Sequence, residues 1–343
     1  MRDAHPHSKL YMDINRFGVY KGRINNMYVS VVVPTFNSAK TICNVLEDLK
    51  PVKNVEVIIS DDGSTDNTVD EVREYRYKND FPVTILENEH HGVSYARNQG
   101  IHVSKGRYLC FIDSDDRVNS EAFSDIISNL DDSDIISCTE GVPVSKNTDF
   151  PIAEKIIDDL IRKGDCEYYL AAPFAKLYNS DFIQGNGILF DESVNKGEDL
   201  LFNLKCLVLT NNVTFVRPYY HYVHRPGSIT RSFRKDLFPN SAAYVMAADQ
   251  ILRASSLSKE KIMMYTKLVQ TTSWYRDALS GISTGHSIAE VLNFMGSCEA
   301  TGNVDATLLS TYSFKEKAVA QLLTFHLLAL VRLIVMFRKI FKS

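Results

Sequence analysis

"YVSVVVPTFNSAKTICNVLEDLK" (residues 28–50) decides the class of fold. Its opening, YVSVVVP (28–34), is a continuous β-branched run, which is how a strand buried on both faces reads. The pattern then changes to helical spacing in SAKTICNVLEDL (38–49). The same exchange recurs down the first half. VEVIIS (55–60) precedes TDNTVDEVREYRYK, a polar helix with an Asp/Thr-rich start; PVTILEN (82–88) precedes VSYARNQGIHVS (93–104); RYLCFI (107–112) is a fourth buried strand. Apolar strands alternating with amphipathic helices predict an α/β fold, a mostly parallel sheet covered by helices on both faces. Ligands of such sheets bind beyond the carboxyl ends of the strands. A ligand is therefore expected among TFN (35–37), DDGSTD (61–66), NEHHG (88–92) and DSDD (113–116).

At 343 residues the chain exceeds what one small core needs. Hydrophobic content of 45% and charged content of 23% make it globular. A formal net charge of -4 argues against a general nucleic-acid binder. Six scattered cysteines without a CxxC pair read as reduced thiols of a cytosolic protein, with neither zinc nor a disulfide framework. Residues 1–27 lack the apolar core of a signal peptide and read as an extension, with Met27 as an alternative start. Beyond residue 132 the pattern loosens. SDIISC is a candidate fifth strand, GVPVSKNTDFP (141–151) a loop or hairpin, GILFDESVNKGEDLLFNLKCLVL (187–209) an extended stretch turning helical, and NVTFVRPYYHYVHRPGSITR (212–231) a basic, aromatic, partly extended segment. The expected organisation is a domain over 28–232, a helical region over 233–316 and a separate tail over 317–343. In that tail Lys317, Gln321, Thr324, Arg332, Arg338 and Lys339 form one polar stripe at helical spacing. The stripe predicts an amphipathic helix lying in a membrane interface. A last helix packed on the protein's own core is the alternative, and a spanning helix would place Arg332 in hydrocarbon at a cost of ~3 kcal/mol.

Five polar groupings carry candidate chemistry. Asp113 and Asp115 stand two apart after a buried strand, so in extended chain both point to one side and can converge on a cation. Mg²⁺ or Mn²⁺ suits such a pair, with substrate phosphates filling other positions; the alternative is a solvated turn with Asp116 as a helix cap. Asp62, in SDDGSTDNT, either helps cap the next helix or accepts from a base N–H or ribose hydroxyl. Arg97 opens a helix against the dipole and, if buried, needs a negative or planar partner such as phosphate. Glu198 and Asp199, in KGEDLLFN (196–203), sit at a helix start whose dipole favours their ionised forms, as ordinary caps or with one as a general base. His221, His224, Arg225, Ser228 and Arg231 offer cations and donors to a diphosphate, with His224 a further metal-ligand candidate.

VSVVVPTFN, VIISDDGSTDNT, GVSYARNQG, FIDSDD and KGEDLLF, in this order and at these separations, resemble the inverting family 2 glycosyltransferases of bacterial cell-surface polysaccharide synthesis, which have the GT-A fold. The resemblance runs from about Val29 to Arg231. It implies that Pro34, Thr35 and Asp62 border the nucleoside and Arg97 the nucleotide, with Asn37 and Ser114 in the same donor site. It further implies that Asp113 and Asp115 are a DxD motif holding Mg²⁺ or Mn²⁺ and the donor diphosphate, that Asp199 is the catalytic base, and that Arg225 and Ser228 belong to a segment closing over the diphosphate. The implied substrates are a nucleotide sugar, taken as a UDP-sugar, and a glycan or lipid-linked acceptor at the inner face of the cell membrane; self-association is left open. Two competing readings are a sugar-phosphate nucleotidyltransferase, for which PTFNSAK (34–40) is a poor triphosphate loop, and a non-catalytic membrane-bound scaffold with the same fold.

Overall fold

The computed structural model describes residues 29–138, 172–210, 212–223, 235–302 and a few positions beyond. The N-terminal extension, the 141–151 loop, Cys166, His224, Arg225, Ser228, Arg231 and most of the tail lie outside the described residues.

The first half builds as its pattern predicts. Strands β1 (Val29–Thr35), β2 (Val55–Asp61), β3 (Val83–Glu87) and β4 (Tyr108–Phe111) alternate with helices α1 (Ile42–Leu49), α2 (Thr68–Asn79) and α3 (Val93–Val103). The strands pair in parallel in the order β3-β2-β1-β4. Alternation assigns their side chains to two cores. Val31 and Val33 of β1, Val57 and Ile59 of β2 and Cys110 of β4 face one side, against Ile42, Val45, Leu46 and Leu49 of α1. Val32, Ile58, Leu109 and Phe111 face the other. There α3 lies close on β1, because Gly100 has no Cβ: one added there would come within 2.3 Å of Val32 Cγ1.

The sheet continues through β6 (Ile135–Cys138), the expected fifth strand, β7 (Lys176–Asn179) and β8 (Val213–Val216), giving β3-β2-β1-β4-β7-β6-β8. β7 is antiparallel to both β4 and β6. It is a strand that sequence reasoning missed, since KLYN is short and carries a lysine. Lys176 is nonetheless fully buried, its Nζ donating to the carbonyls of Ala172 and Phe174 at 2.5 and 3.4 Å. A small ribbon pairs β5 (Arg117–Val118) with β9 (Tyr220–His221), and α4 (Ser120–Ser128) follows β5. The 187–190 stretch expected to be extended is turn and coil after α5 (Ser180–Gly185).

Helix α6 (Glu198–Leu209) packs under the sheet, and α7 (Leu237–Arg253), α8 (Lys259–Thr284) and α9 (Ile288–Glu299) form the C-terminal helical region. Of the tail, Val319, Leu323 and Val331 are buried among Trp274, Phe294 and Met295, so at these positions the apolar side is spent on the protein's own helices. Among the described residues no helix is long and apolar enough to cross a membrane. Cys110, Cys138 and Cys206 are buried free thiols, as their apolar surroundings predict.

Candidate active site

The parallel register brings the carboxyl ends of β1, β2 and β4 together, with Thr35 opposite Asp61 and Val32 opposite Phe111. The polar turns that follow bind each other first. Thr35 is buried and its hydroxyl donates to Asp61 Oδ1 at 2.8 Å. Asn37 takes a left-handed backbone, φ 53°, and its Oδ1 accepts from the Thr65 N–H at 2.9 Å and the Asp66 N–H at 3.3 Å. The side chains of Thr35 and Asn37 therefore build the floor that Pro34 and Phe36 line.

Asp62 is 3% exposed. Its carboxylate accepts from the backbone N–H groups of His91 (2.8 Å) and Gly92 (2.9 and 3.0 Å) and lies 2.8 Å from His90 Nδ1. The alternative of capping the next helix is overturned for Asp62, which instead secures the turn into α3. Asp66 is the residue that accepts from Thr68. The His90 ring, so held, stacks on Phe36 with centroids 4.4 Å apart. Phe36 is 45% exposed. An aromatic face kept open at the end of β1, beside donors and acceptors, is suited to a planar base. Sequence reasoning missed this pair, although a phenylalanine inside a polar strand-end turn was the available signal.

Asp113, Ser114 and Asp115 line the same cleft. Ser114 Oγ is 2.7 Å from Ser38 Oγ, joining the turns after β4 and β1. Asp116 is not the solvated cap that one reading of the motif expects: it is buried, and Asn119 caps α4. Its carboxylate accepts from the Tyr220 hydroxyl and from the Val223 N–H at 2.8 Å. Burial raises its pKa to about 6 against those stabilising bonds. It thus ties the start of the basic 219–231 segment to the back of the DxD turn.

Arg97 does need a negative partner, as its burial demands, and the partners are carboxylates. Its Nη1 donates to Asp199 Oδ1 at 2.6 Å and its Nη2 to Asp113 Oδ1 at 3.0 Å, while the guanidinium lies 5.2 Å from the Phe190 ring centre. One planar cation so bridges the end of β4 to the start of α6, a span for which the guanidinium fork is suited. Asn98, next to it, is buried and donates to the Phe190 carbonyl (3.1 Å) and Glu192 (2.7 Å), fixing the chain that leads to α6.

Asp199 stands in the first turn of α6, where the dipole favours its charge. Burial and the nearby Glu198 and Asp113 carboxylates outweigh the dipole and Arg97, and push its pKa up to about 7. The helix start is braced from behind. Asn240 of α7 accepts from the Asn195 N–H at 2.6 Å and donates to the Lys196 carbonyl at 3.1 Å, and Lys196 Nζ lies 3.0 Å from Asp277 of α8. Gly197, the N-cap, has φ 93°, and a Cβ there would come within 2.6 Å of the Tyr244 ring. Gly197→Ala combines a left-handed conformation with a clash beside Asp199. It is expected to lower turnover well before it lowers nucleotide affinity, as steady-state kinetics set against UDP titration will show.

These residues share one cleft of about 1280 Å³, lined by Pro34, Thr35, Asn37, Asp62, Arg97, Asp113, Ser114, Asp115, Glu198 and Asp199. No cluster of three or more His, Cys, Asp or Glu side chains poised for a metal occurs among the described residues. Arg97 engages only Oδ1 of Asp113, and Oδ2 has no hydrogen-bond partner among the described residues. With Asp115 beside it, the oxygen donors fit a hard divalent cation that takes one or two carboxylates and completes its shell from water and phosphate.

The Glycosyl transferase family 2 model matches residues 30–196. Poly(ribitol-phosphate) beta-N-acetylglucosaminyltransferase TarS of Staphylococcus aureus is 31% identical over 215 residues, covering 59% of this chain and 36% of TarS. The chain thus spans about a third of that relative's length. The crystal structure of S. aureus TarS 1–349 in complex with UDP-GlcNAc superposes with a TM-score of 0.64 at 22% identity, covering 91% of this chain and 92% of that one. The mannosyltransferase PcManGT from Pyrobaculum calidifontis, in complex with GDP-Man and Mn²⁺, gives 0.52 at 15% identity over 90% and 87%. The five motifs in order, the strand-end cleft they build and these matches have one reading: residues 30–196 are a family 2 glycosyltransferase domain, and the chain has the GT-A fold.

Proposed function

We propose that the protein is an inverting, metal-dependent glycosyltransferase of surface-polysaccharide synthesis. It moves a sugar from a nucleoside diphosphate sugar, a UDP-sugar first among them, to a hydroxyl of a glycan or lipid-linked acceptor. The observation that carries this reading is the Asp113–Arg97–Asp199 bridge. It joins Asp113, the carboxylate proposed for the diphosphate side, to the half-buried, pKa-raised Asp199 across one cleft.

Phe36 and His90 would hold the base, and Asp62 keeps His90 in place. A divalent cation on Asp113 and Asp115 would supply charge neutralisation for the leaving diphosphate. Asp199 takes the proton from the acceptor hydroxyl as that oxygen attacks the anomeric carbon. The C–O bond to the diphosphate breaks on the opposite face, and configuration inverts. Arg97 keeps Asp199 oriented and holds its pKa below the value that burial alone would give. TarS, by its name, transfers N-acetylglucosamine to poly(ribitol-phosphate). That supports the substrate class proposed for this chain, and PcManGT with Mn²⁺ supports the choice of cation.

Asp115→Ala tests the donor half. Wild-type protein is expected to bind UDP in an Mn²⁺-dependent manner and to hydrolyse at least one of a panel of nucleotide sugars slowly without acceptor. The variant is expected to lose both the Mn²⁺ dependence and the hydrolysis. Unchanged calorimetric titrations of Mn²⁺ and UDP would sink the metal assignment.

A further inference from the structure

We infer that the face of α8 carrying Arg276, Ser280 and Thr284 is the acceptor subsite, and that it takes an anionic acceptor, a chain bearing phosphodiester groups. The inference rests on the glycosyltransferase reading and specifies the half of the cleft which that reading leaves open.

The cleft has two walls. The strand ends and the turn into α3 make one, the donor wall. The other comes from residues 192–200, Leu237 of α7, and Arg276, Ser280 and Thr284 of α8. In a single displacement the attacking hydroxyl approaches the anomeric carbon from the face away from the leaving group, so the acceptor cannot lie along the donor wall. The match to the family ends at residue 196. The α7 and α8 wall therefore lies outside the span that the family model describes, and it is the wall left for the acceptor.

The three α8 residues are spaced i, i+4 and i+8 and so lie in one row on the helix, about 12 Å long at 1.5 Å per residue. That suits a chain better than a single ring. Charge identifies the chain. The cleft is crowded with carboxylates, and two of its cations are already ion-paired: Arg97 with Asp113 and Asp199, and Lys196 with Asp277. Arg276 is exposed and forms no ion pair among the described residues. Its Nε donates to the Thr272 carbonyl at 3.3 Å, and it lies beside the buried Tyr244 hydroxyl. These contacts hold the side chain along the helix without using its charge. A tethered guanidinium, followed along its row by two hydroxyl side chains, matches a phosphodiester followed by polyol hydroxyls.

The test compares a short poly(glycerol phosphate) oligomer with an uncharged oligosaccharide of similar length as acceptors. Acceptor KM and kcat are measured for wild type, Arg276→Ala and Arg276→Lys. Arg276→Ala is expected to raise KM for the phosphate oligomer about tenfold or more, the loss of a charge-assisted hydrogen bond, with kcat little changed. Arg276→Lys should recover part of that loss. In wild type the KM should rise with salt, and in Arg276→Ala it should do so far less. The uncharged acceptor should be the poorer substrate and insensitive to the substitution. An unchanged KM in Arg276→Ala, an equal loss on both acceptors, or a preference for the uncharged chain overturns the assignment. Acceptor-free hydrolysis of nucleotide sugars separates the two levels. If wild type hydrolyses none, the glycosyltransferase reading itself fails; if it hydrolyses a donor but does not use the phosphate oligomer, the acceptor assignment alone fails.

Discussion

Asp199→Asn is expected to lower sugar transfer by ~10²–10⁴, the range over which a positioned general base contributes, while nucleotide binding persists. The substitution is well matched to the site. An asparagine Oδ1 can still accept from Arg97 Nη1, which lies 2.6 Å from the carboxylate oxygen it replaces, so the bridge to Asp113 keeps its shape while the proton acceptor is lost. The pH profile gives a second readout. A base works when ionised, and burial with the neighbouring Glu198 and Asp113 raises the Asp199 pKa to about 7. Below that value the carboxyl is increasingly protonated and the rate should fall about tenfold per pH unit; above it the rate should level off. The variant should retain a low residual rate without this acid limb. Normal turnover by Asp199→Asn, or an unmoved acid limb, would assign the proton transfer to another group. Glu198, beside it in the first turn of α6, is the nearest candidate.

The strand ends were readable in the sequence because a two-sided sheet writes its strands as apolar runs, and the turns after such strands face outward. That reasoning located Asp62 and Asp113; Arg97 and Asp199 stood out instead at helix starts and in the family's motifs, and the fold brings all four to one cleft. It did not reveal how those side chains pair, because pairing joins residues up to 102 positions apart and no local pattern encodes it. The dipole at the start of α6 suggested a readily ionised Asp199. The opposite shift depends on burial and on the Glu198 and Asp113 carboxylates, a combination that the helix start alone does not show. Lys196–Asp277 and Asn240 were missed for the same reason: they are brace contacts between a motif and a region whose sequence shows only helical spacing. β7 was missed because four residues that open on a lysine do not read as a buried strand. Lys176 donates there to carbonyls of the turn preceding its own strand.

Arg97 carries the second large prediction, because one side chain serves both packing and chemistry. It is 3% exposed, whereas its partners Asp113 and Asp199 are 29% and 34% exposed, so each carboxylate keeps some contact with water. Removing one member of a fully desolvated ion pair costs ~3–5 kcal/mol; with the partners partly solvated, about 2 kcal/mol is expected for Arg97→Met. That should appear as a lower denaturant midpoint at an unchanged slope. The chemical effect should be larger than the stability effect. Without the guanidinium, Asp199 loses the positive neighbour that lowers its pKa but keeps Glu198 and Asp113, which raise it. The acid limb of the rate should therefore move to higher pH, leaving less of the base ionised near neutrality. Arg97→Lys should retain more stability than Arg97→Met but little activity. An ammonium is a point charge and does not present the planar fork that reaches Asp113 and Asp199 together. If Arg97→Lys transferred sugar at the wild-type rate, or if Arg97→Met left both the midpoint and the acid limb in place, the bridge would be only a contact between neighbours, and the orientation of the base would have to come from the Asn240 and Asp277 brace alone.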